Sequence, residues 1–212
     1  MLSRIFLTIL MLGFPWQAAL ASSDGDASQT SHLAISSDLV DELRGGGFIL
    51  YIRHAATDHD VEDTDRDNLD NCTTQRPLSE LGRDQSRRIG DALRKLGIPV
   101  AKIVASPYCR ARNTAILAFG KAELIDDLKF SLGSGDENTE RQTTVLRALL
   151  AEVPADGTNT VIAGHTANLR EASGVWPKPE GVTVVFEPDG AGAFRYRAAI
   201  HPDSWPLTAS QQ

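Results

Sequence analysis

The chain has 212 residues, 42% of them hydrophobic, which suits a single domain with a sizeable core. Its 28 acidic residues outnumber its 21 basic ones and give a formal net charge of −7, which argues against nucleic acid as the main partner. Arginines that cluster in such an acidic chain are therefore informative.

The N-terminus has the layout of a secretory signal peptide. A positive start that ends at Arg4 precedes a hydrophobic stretch over residues 5–20, and Ala19-Leu20-Ala21 forms a small-residue cleavage site. A membrane anchor is the alternative. The stretch is, however, shorter than the roughly 20 residues that span a bilayer, and Gly13-Phe14-Pro15 interrupts it. We therefore predict cleavage after Ala21 and export, to the periplasm or as a secreted protein.

The domain organisation follows from this leader. We predict a signal peptide over residues 1–21, a disordered polar lead-in over 22–32 and one globular domain over 33–212. No later segment has an apolar run long enough to span a bilayer, so we expect no stable membrane association after cleavage.

A buried strand at Phe48–Ile52 is the segment around which the rest is organised. It is apolar, β-branched and aromatic, it follows a short predicted helix (36–44) and three glycines, and Arg53-His54 come directly after it. A phosphate-binding glycine loop follows a strand, whereas these glycines precede one, so we assign them to no site. Ligands collect outside the carboxyl ends of strands in open α/β sheets. Arg53 and His54 are therefore placed to meet an anion, with phosphate as the leading candidate.

Residues 57–75 form a polar, acidic segment without apolar periodicity. A loop of this length inside a domain is usually functional or mobile. Its acids do not fit a calcium-binding loop, because counting from Asp58 or Asp60 finds neither glycine at the sixth position nor glutamate at the twelfth. We predict a solvated acidic flap over the site, without a metal.

A second strand-to-helix unit carries another arginine. The segment 78–97 has the apolar spacing of a helix, 100–105 is predicted to be a strand, and Ser106-Pro107 is expected to open the next helix as its N-cap and first residue. Arg110 then lies in the first turn of that helix. There its guanidinium and the free N–H groups of the helix can meet the same anion.

The next predicted core strand, Thr158–Gly164, ends in a second histidine, His165. Gly164 lets a backbone or a ligand approach closely. The remaining predicted elements are a short strand over 122–125, an irregular loop over 126–136, a helix that begins at Asn138 with Thr139 and Gln142 at capping-box spacing, and a hairpin that joins 182–186 to 193–197.

The alternation of strands and helices predicts an α/β fold, a three-layer α/β/α sandwich with a mostly parallel central sheet. Parallel strands place their carboxyl ends at one edge of the sheet, so Arg53, His54, Arg110 and His165 can point into one crevice. Arginine forks match phosphate oxygens and a neutral imidazole can attack phosphorus, so this set suits phosphoryl transfer without a cofactor.

These residues resemble the histidine phosphatase superfamily, with its phosphoglycerate-mutase-like fold. The resemblance rests on four segments in the family's order: Arg53-His54, Leu78–Gln85, Ser106–Ala115 and Gly164-His165. It implies that His54 is the phosphorylated nucleophile and that Arg53 and Arg110 bind phosphoryl oxygens. It also implies that His165 stabilises the charged transition state.

Two features depart from the family's pattern. Ala55 stands where the family usually has a glycine after the nucleophile, which is acceptable if Ala55 keeps a negative φ. The glutamate that many members use as a general acid has no clear counterpart in residues 126–130. Asp58, Glu137 and Glu180 are the candidates for that role, although a branch of the family works without an evident carboxylate.

Cys72 and Cys109 are the two cysteines of the chain. An oxidising compartment would permit one disulfide between them, and two free buried cysteines are the alternative. Neither cysteine belongs to a CxxC motif, so we predict no metal site there.

The sequence therefore predicts an exported phosphomonoester hydrolase that acts through a phosphohistidine on His54. The expected partner is a small phosphorylated metabolite or an envelope phosphosugar. A non-catalytic phosphate-ester binding protein on the same fold is the alternative. The intact His54 favours the enzyme, because binding alone needs the arginines but no nucleophile. A mutase is less favoured, since an exported protein would rarely meet the glycolytic intermediate.

Overall fold

Six strands form one sheet in a computed structural model that describes residues 35–206. The strands are β1 (Ile49–Arg53), β2 (Val100–Ala105), β3 (Glu123–Leu124), β4 (Asn159–Gly164), β5 (Thr183–Pro188) and β6 (Phe194–Ile200). Their order across the sheet is β3-β2-β4-β1-β5-β6. The first four strands in this order run parallel, and β5 and β6 add an antiparallel hairpin at one edge.

Helices cover both faces of this sheet. They are α1 (Ser37–Gly45), α2 (Glu80–Lys95), α3 (Cys109–Phe119), α4 (Asp136–Ala151) and α5 (Thr166–Ser173). One hydrophobic cluster joins the first three helices to the sheet, and a second cluster joins α4 and α5 to the other face. The predicted three-layer α/β/α fold with a mostly parallel sheet is confirmed.

Strand register explains how residues distant in sequence come together. Arg53, the last residue of β1, lies opposite Gly164, the last residue of β4. Ala105, the last residue of β2, lies opposite Ala163 of β4. The residues that follow these three strands, His54, Ser106 and His165, therefore share one edge of the sheet.

The predicted start of α3 is wrong by two residues. The helix begins at Cys109, with Tyr108 as an N-cap whose side chain makes no capping bond. The Ser106 hydroxyl accepts from the Tyr108 backbone N–H and contacts Nε2 of His165 at 2.8 Å. A tertiary contact thus occupies the hydroxyl that was expected to cap the helix.

The predicted start of α4 is also wrong. The helix begins at Asp136, because Gly135 adopts a left-handed φ of 87° just before it. Thr139 and Gln142 therefore lie inside the helix and form no capping box. The Thr139 hydroxyl donates to the Gly135 carbonyl, and Gln142 is buried.

The N-terminal predictions concern residues that the structure does not describe. The predicted signal peptide (1–21) and lead-in (22–32) both fall outside residues 35–206. Within that range, no helix combines the length and the apolar character needed to cross a membrane.

Candidate active site

A cavity of about 260 Å³ opens at the strand-end edge of the sheet. It is lined by Arg53, His54, Arg76, Arg110, Phe130, His165, Thr166, Trp176 and Lys178. All four residues predicted from the motifs, Arg53, His54, Arg110 and His165, are among them. We call this cavity the catalytic pocket.

The backbone around His54 is fixed by hydrogen bonds to four separate parts of the fold. The amides of residues 54–57 donate in turn to Gly164 O at 2.9 Å, Thr114 Oγ1 at 3.0 Å, Gln85 Oε1 at 3.0 Å and Glu180 Oε2 at 2.9 Å. Ala55 is fully buried, and no residue other than glycine has a positive φ in the described range. The condition under which Ala55 can replace the family's glycine is therefore met.

Helix α2 approaches this backbone closely. A side chain at Gly82 would collide with the Ala56 carbonyl, and the Ala56 carbonyl accepts hydrogen bonds from the amide and the hydroxyl of Ser79. Ser79 is the N-cap of α2, as predicted. The same serine thus starts the helix and anchors the segment that follows His54.

His54 is held as a neutral imidazole with one free nitrogen. Burial, and after it the charge of Arg110, keep the pKa of His54 well below its usual range. Its Nδ1 lies 3.1 Å from the Ala55 carbonyl oxygen. Because a carbonyl can only accept, this contact places the proton on Nδ1. The lone pair of Nε2 is then free to act as a nucleophile.

His165 is the second buried imidazole of the pocket. Burial, followed by the charge of Arg110, holds its pKa well below the usual range. The Ser106 hydroxyl, which already accepts from a backbone N–H, can donate its own proton to His165 Nε2. In that tautomer Nδ1 carries the proton, and Nδ1 has no hydrogen-bond partner among the described residues.

Two pocket arginines are each paired with an acid. Arg53 Nη2 lies 3.3 Å from Glu180 Oε1, and Arg110 Nη1 lies 3.0 Å from Asp63 Oδ1. Burial lowers the pKa of both guanidinium groups, and the paired carboxylates oppose that shift. A third arginine, Arg76, lines the same pocket without a carboxylate within salt-bridge distance in the described part of the chain.

Unpaired donors gather in this pocket. Nine buried side-chain polar atoms have no partner in the described residues, and four of them belong to the catalytic pocket: Nε of Arg53, Arg76 and Arg110, and Nδ1 of His165. Buried polar groups are normally hydrogen-bonded, so such a cluster requires a ligand or water to complete it. The electropositive surroundings suit an anion.

Of the three candidate general acids, only Glu180 contacts residues of the catalytic pocket, Arg53 and His54, although it does not line the pocket itself. Its carboxylate accepts from the backbone and the hydroxyl of Thr57, and Oε1 lies 4.0 Å from His54 Nδ1. Asp58 instead accepts from the amide of Asp60 within its own loop. Glu137 is exposed in the first turn of α4. In the described range, the side chains of Asp58 and Glu137 form no hydrogen bond or ion pair with a residue of the catalytic pocket, so the structure does not bring them to His54.

The acidic loop contributes more than the predicted solvated flap. Asp63 is buried against Arg110, its side chain only 8% exposed, and it also accepts from the Arg76 backbone N–H. Sequence reasoning missed Asp63 and Arg76 because the loop has no periodicity that distinguishes one charge from its neighbours. Lys178 and Trp176, also missed, lie in an irregular segment before β5.

The two cysteines are joined in a disulfide, with a Cα–Cα distance of 5.7 Å. The bridge links the acidic loop to the first residue of α3, next to Arg110. Arg112 lies against the same sulfurs, with Nη2 2.8 Å from Cys72 Sγ, and does not line the catalytic pocket. In the described range, no group of three or more His, Cys, Asp and Glu side chains is arranged to hold a metal ion.

Comparison with known proteins finds a family model that matches part of the chain. The family model described as histidine phosphatase superfamily (branch 1) matches residues 49–130. Residues 49–130 are therefore similar to the histidine phosphatase superfamily. The matched range contains Arg53, His54 and Arg110, whereas His165 lies beyond it and is brought to the site by β4. No curated protein shows significant sequence similarity to the chain.

Several solved structures share the fold of this chain. The protein histidine phosphatase SixA, solved with tungstate, is 19% identical with a TM-score of 0.54, over 73% of this chain and 97% of its own. A mycobacterial glucosyl-3-phosphoglycerate phosphatase is 14% identical with a TM-score of 0.53, over 72% and 98%. The ecdysone phosphate phosphatase of Bombix mori is 15% identical with a TM-score of 0.53, over 76% and 94%.

Proposed function

We propose that this protein is a phosphomonoester hydrolase of the histidine phosphatase superfamily that works through a phosphohistidine on His54. The observation that carries the proposal is the set of buried, unpartnered donors of Arg53, Arg76, Arg110 and His165 around a neutral His54. A phosphoryl group would supply acceptor oxygens for these donors. The match of residues 49–130 to the superfamily model and the shared fold support phosphatase activity in general.

In the first step, the lone pair of His54 Nε2 forms a bond to phosphorus. The bond between phosphorus and the ester oxygen breaks, and the leaving oxygen takes the electron pair and then a proton from water. The guanidinium groups and the Nδ1–H of His165 stabilise the charge on the phosphoryl oxygens as it is transferred. The hydrogen-bonded backbone of residues 54–57 holds the imidazole in place, so little reorganisation is needed.

In the second step, water hydrolyses the phosphohistidine. A water oxygen bonds to phosphorus, the P–N bond breaks, and its electron pair returns to His54 Nε2. The water gives up a proton to solvent, and inorganic phosphate leaves. The low pKa of His54 favours this return to the neutral imidazole.

Glu180 fits a positioning role in this scheme better than that of a proton donor. Its oxygens already accept from Thr57 and Arg53, and its nearest approach to His54 is on the Nδ1 side. The leaving oxygen departs on the far side of phosphorus from Nε2. Solvent water is therefore the proposed source of its proton.

Trapping the intermediate tests the proposal. Rapid quench with a labelled phosphomonoester should give an acid-labile, base-stable phosphoenzyme, and His54→Ala should abolish it. Labelling that persists in the variant contradicts the assignment of the nucleophile. Turnover of p-nitrophenyl phosphate by the mature domain distinguishes the enzyme from a non-catalytic phosphate-ester binding protein, which would bind phosphate without turnover.

We also propose that the protein is exported and acts on a small phosphorylated metabolite or an envelope phosphosugar. The leader-like residues 1–21 support export, and so does the Cys72–Cys109 disulfide, since such bonds persist in oxidising compartments. Cell fractionation with N-terminal sequencing of the mature protein tests this. Protein found in the cytoplasm with its leader intact would contradict it.

A further inference from the structure

A second cavity adjoins the catalytic pocket and plays no part in the chemistry proposed above. Its volume is about 530 Å³. It shares Phe130, Thr166 and Trp176 with the catalytic pocket and extends past Leu132, Arg170 and Glu171. The shared walls make it a continuation of the site that holds the phosphoryl group, and we call it the side cavity.

Large apolar side chains are left uncovered in the side cavity. Trp176 is 48% exposed and Leu132 is 65% exposed. Apolar groups at a cavity that opens from a reactive site are typical of the walls that bind the organic part of a ligand.

Phe130 fixes the boundary between the two cavities. Its ring centroid lies 5.4 Å from that of His165, and the Arg110 guanidinium carbon lies 5.8 Å from the Phe130 ring. The aromatic wall is thus anchored by two residues that we place around the phosphoryl group. A leaving group larger than a few atoms can extend along this wall, because the opposite end of the phosphoryl group is taken by His54.

Trp176 is held at the rim by cations. The Arg170 guanidinium carbon lies 4.8 Å from its ring centroid, and the Lys178 ammonium lies 4.9 Å from it. These groups and Glu171 offer hydrogen-bond donors and acceptors beside an aromatic surface. That combination suits a ring with an apolar face and polar substituents at its edge.

We infer that the side cavity binds the leaving group of the substrate and selects esters whose alcohol carries a ring, either an aryl group or a sugar. The inference rests on the proposed phosphatase function and narrows its substrate class. Trp176 and Leu132 are specificity-determining residues that bind the ring in the ground state and the transition state alike. Their loss should raise the KM for ring esters more than it lowers kcat.

Three esters of primary alcohols test this with the full mature protein: benzyl phosphate, glucose 6-phosphate and ethyl phosphate. The wild type should show a lower KM for at least one ring ester than for ethyl phosphate. Trp176→Ala should raise the KM for that ring ester about 10-fold more than it raises the KM for ethyl phosphate, whereas Trp176→Phe should keep most of the binding. If Trp176→Ala raises the KM more for glucose 6-phosphate than for benzyl phosphate, the leaving group that the side cavity selects is a sugar. If it raises the KM more for benzyl phosphate, the leaving group is an aryl alcohol.

Tyr196→Ala is the matched control, since Tyr196 is 51% exposed and lies on β6, away from both cavities. Leu132→Ala should also raise the KM for ring esters. This second variant can be measured if Trp176→Ala does not fold. Equal KM values for ring and acyclic esters, or equal effects of Trp176→Ala on all three, overturn the side-cavity inference and leave the phosphatase intact. Failure of the wild type to hydrolyse any phosphomonoester overturns the proposed function, and this inference with it.

Discussion

Asp63 holds the Arg110 guanidinium through one nitrogen: its two carboxylate oxygens lie 3.0 and 3.1 Å from Arg110 Nη1. Both side chains are buried, with 8% and 2% exposure. Nη2 makes no hydrogen bond to the described residues and stays available to a ligand. Because Asp63 also accepts from the Arg76 backbone N–H, one carboxylate sets the position of two pocket arginines.

The first prediction is that Asp63→Asn lowers both stability and activity. Removing one partner of a buried ion pair leaves the other charge uncompensated, which costs about 3 kcal/mol or more. A displaced Arg110 should lower kcat/KM about 10-fold or more. Thermal unfolding and p-nitrophenyl phosphate kinetics measure the two effects. Asp65→Asn in the same loop is the control. A rise in activity would instead identify Asp63 as a latch that blocks the site.

The second prediction concerns the two arginines of α3. Arg110→Lys keeps the charge but loses the planar fork that matches phosphoryl oxygens, so kcat/KM should fall about 100-fold or more, as it should for Arg53→Lys. Arg112→Lys is the matched control, because Arg112 contacts the disulfide sulfurs two residues further along the helix. Near-normal activity of Arg110→Lys would place the phosphoryl clamp elsewhere.

The third prediction separates two roles for Glu180. If Glu180 positions Arg53 and Thr57, Glu180→Gln should lower kcat/KM by a similar factor for p-nitrophenyl phosphate and for ethyl phosphate. A general acid matters most for poor leaving groups, since a nitrophenolate needs no proton to depart. Kinetics of the two esters with wild type and variant measure the difference. A loss confined to ethyl phosphate would make Glu180 the general acid.

The fourth prediction is that stability falls as the pH is lowered below about 6.5, the ordinary pKa of histidine. The pKa values of His54 and His165 are depressed in the folded protein, so between those values and 6.5 the unfolded chain binds more protons than the folded one. Unfolding then becomes more favourable as pH falls, by at most about 1.4 kcal/mol per pH unit for each histidine.

Thermal unfolding of wild type and of His165→Asn between pH 7.5 and 5.5 measures this dependence. In the variant, the free energy of unfolding should fall less steeply as the pH is lowered, because one of the two histidines with a depressed pKa is gone. Identical slopes in the two proteins would mean that His165 is not kept neutral by the fold.

The part of the site that the sequence predicted best is the set of residues near the ends of the parallel strands. β2 has the predicted bounds, and His54, Arg110 and His165 converge because each lies close to the carboxyl end of a parallel strand. Such residues are brought together by sheet topology alone, so local patterns are enough to find them.

What the sequence did not reveal depends on long-range contacts. The N-cap predicted at Ser106 is wrong, because the Ser106 hydroxyl joins the Tyr108 backbone N–H to His165, which β4 brings close, and the helix begins only at Cys109. Helix α5 was not predicted, and it is only eight residues long. Asp63 differs from the other acids of its loop only by meeting Arg110, a contact that sequence periodicity cannot indicate.

The last prediction is that the Cys72–Cys109 disulfide supports stability and activity together. The two cysteines are 37 residues apart, and by the chain-entropy estimate closing a loop of that size stabilises the fold by about 4 kcal/mol. Cys109 starts α3 directly before Arg110, and its amide donates to Gln75 Oε1 in the acidic loop. Without the bridge, the loop that carries Asp63 should hold Arg110 less firmly.

Reduction should therefore lower the melting temperature and the phosphatase rate. The double variant Cys72→Ala/Cys109→Ala should reproduce both losses without a reductant, which controls for effects of the reagent itself. Freshly purified protein should show no free thiol when it is denatured without reduction. Titration of two free thiols in that denatured protein would contradict the disulfide. Unchanged activity of the double variant would mean that the disulfide contributes only to stability, because Arg110 would then keep its position without it.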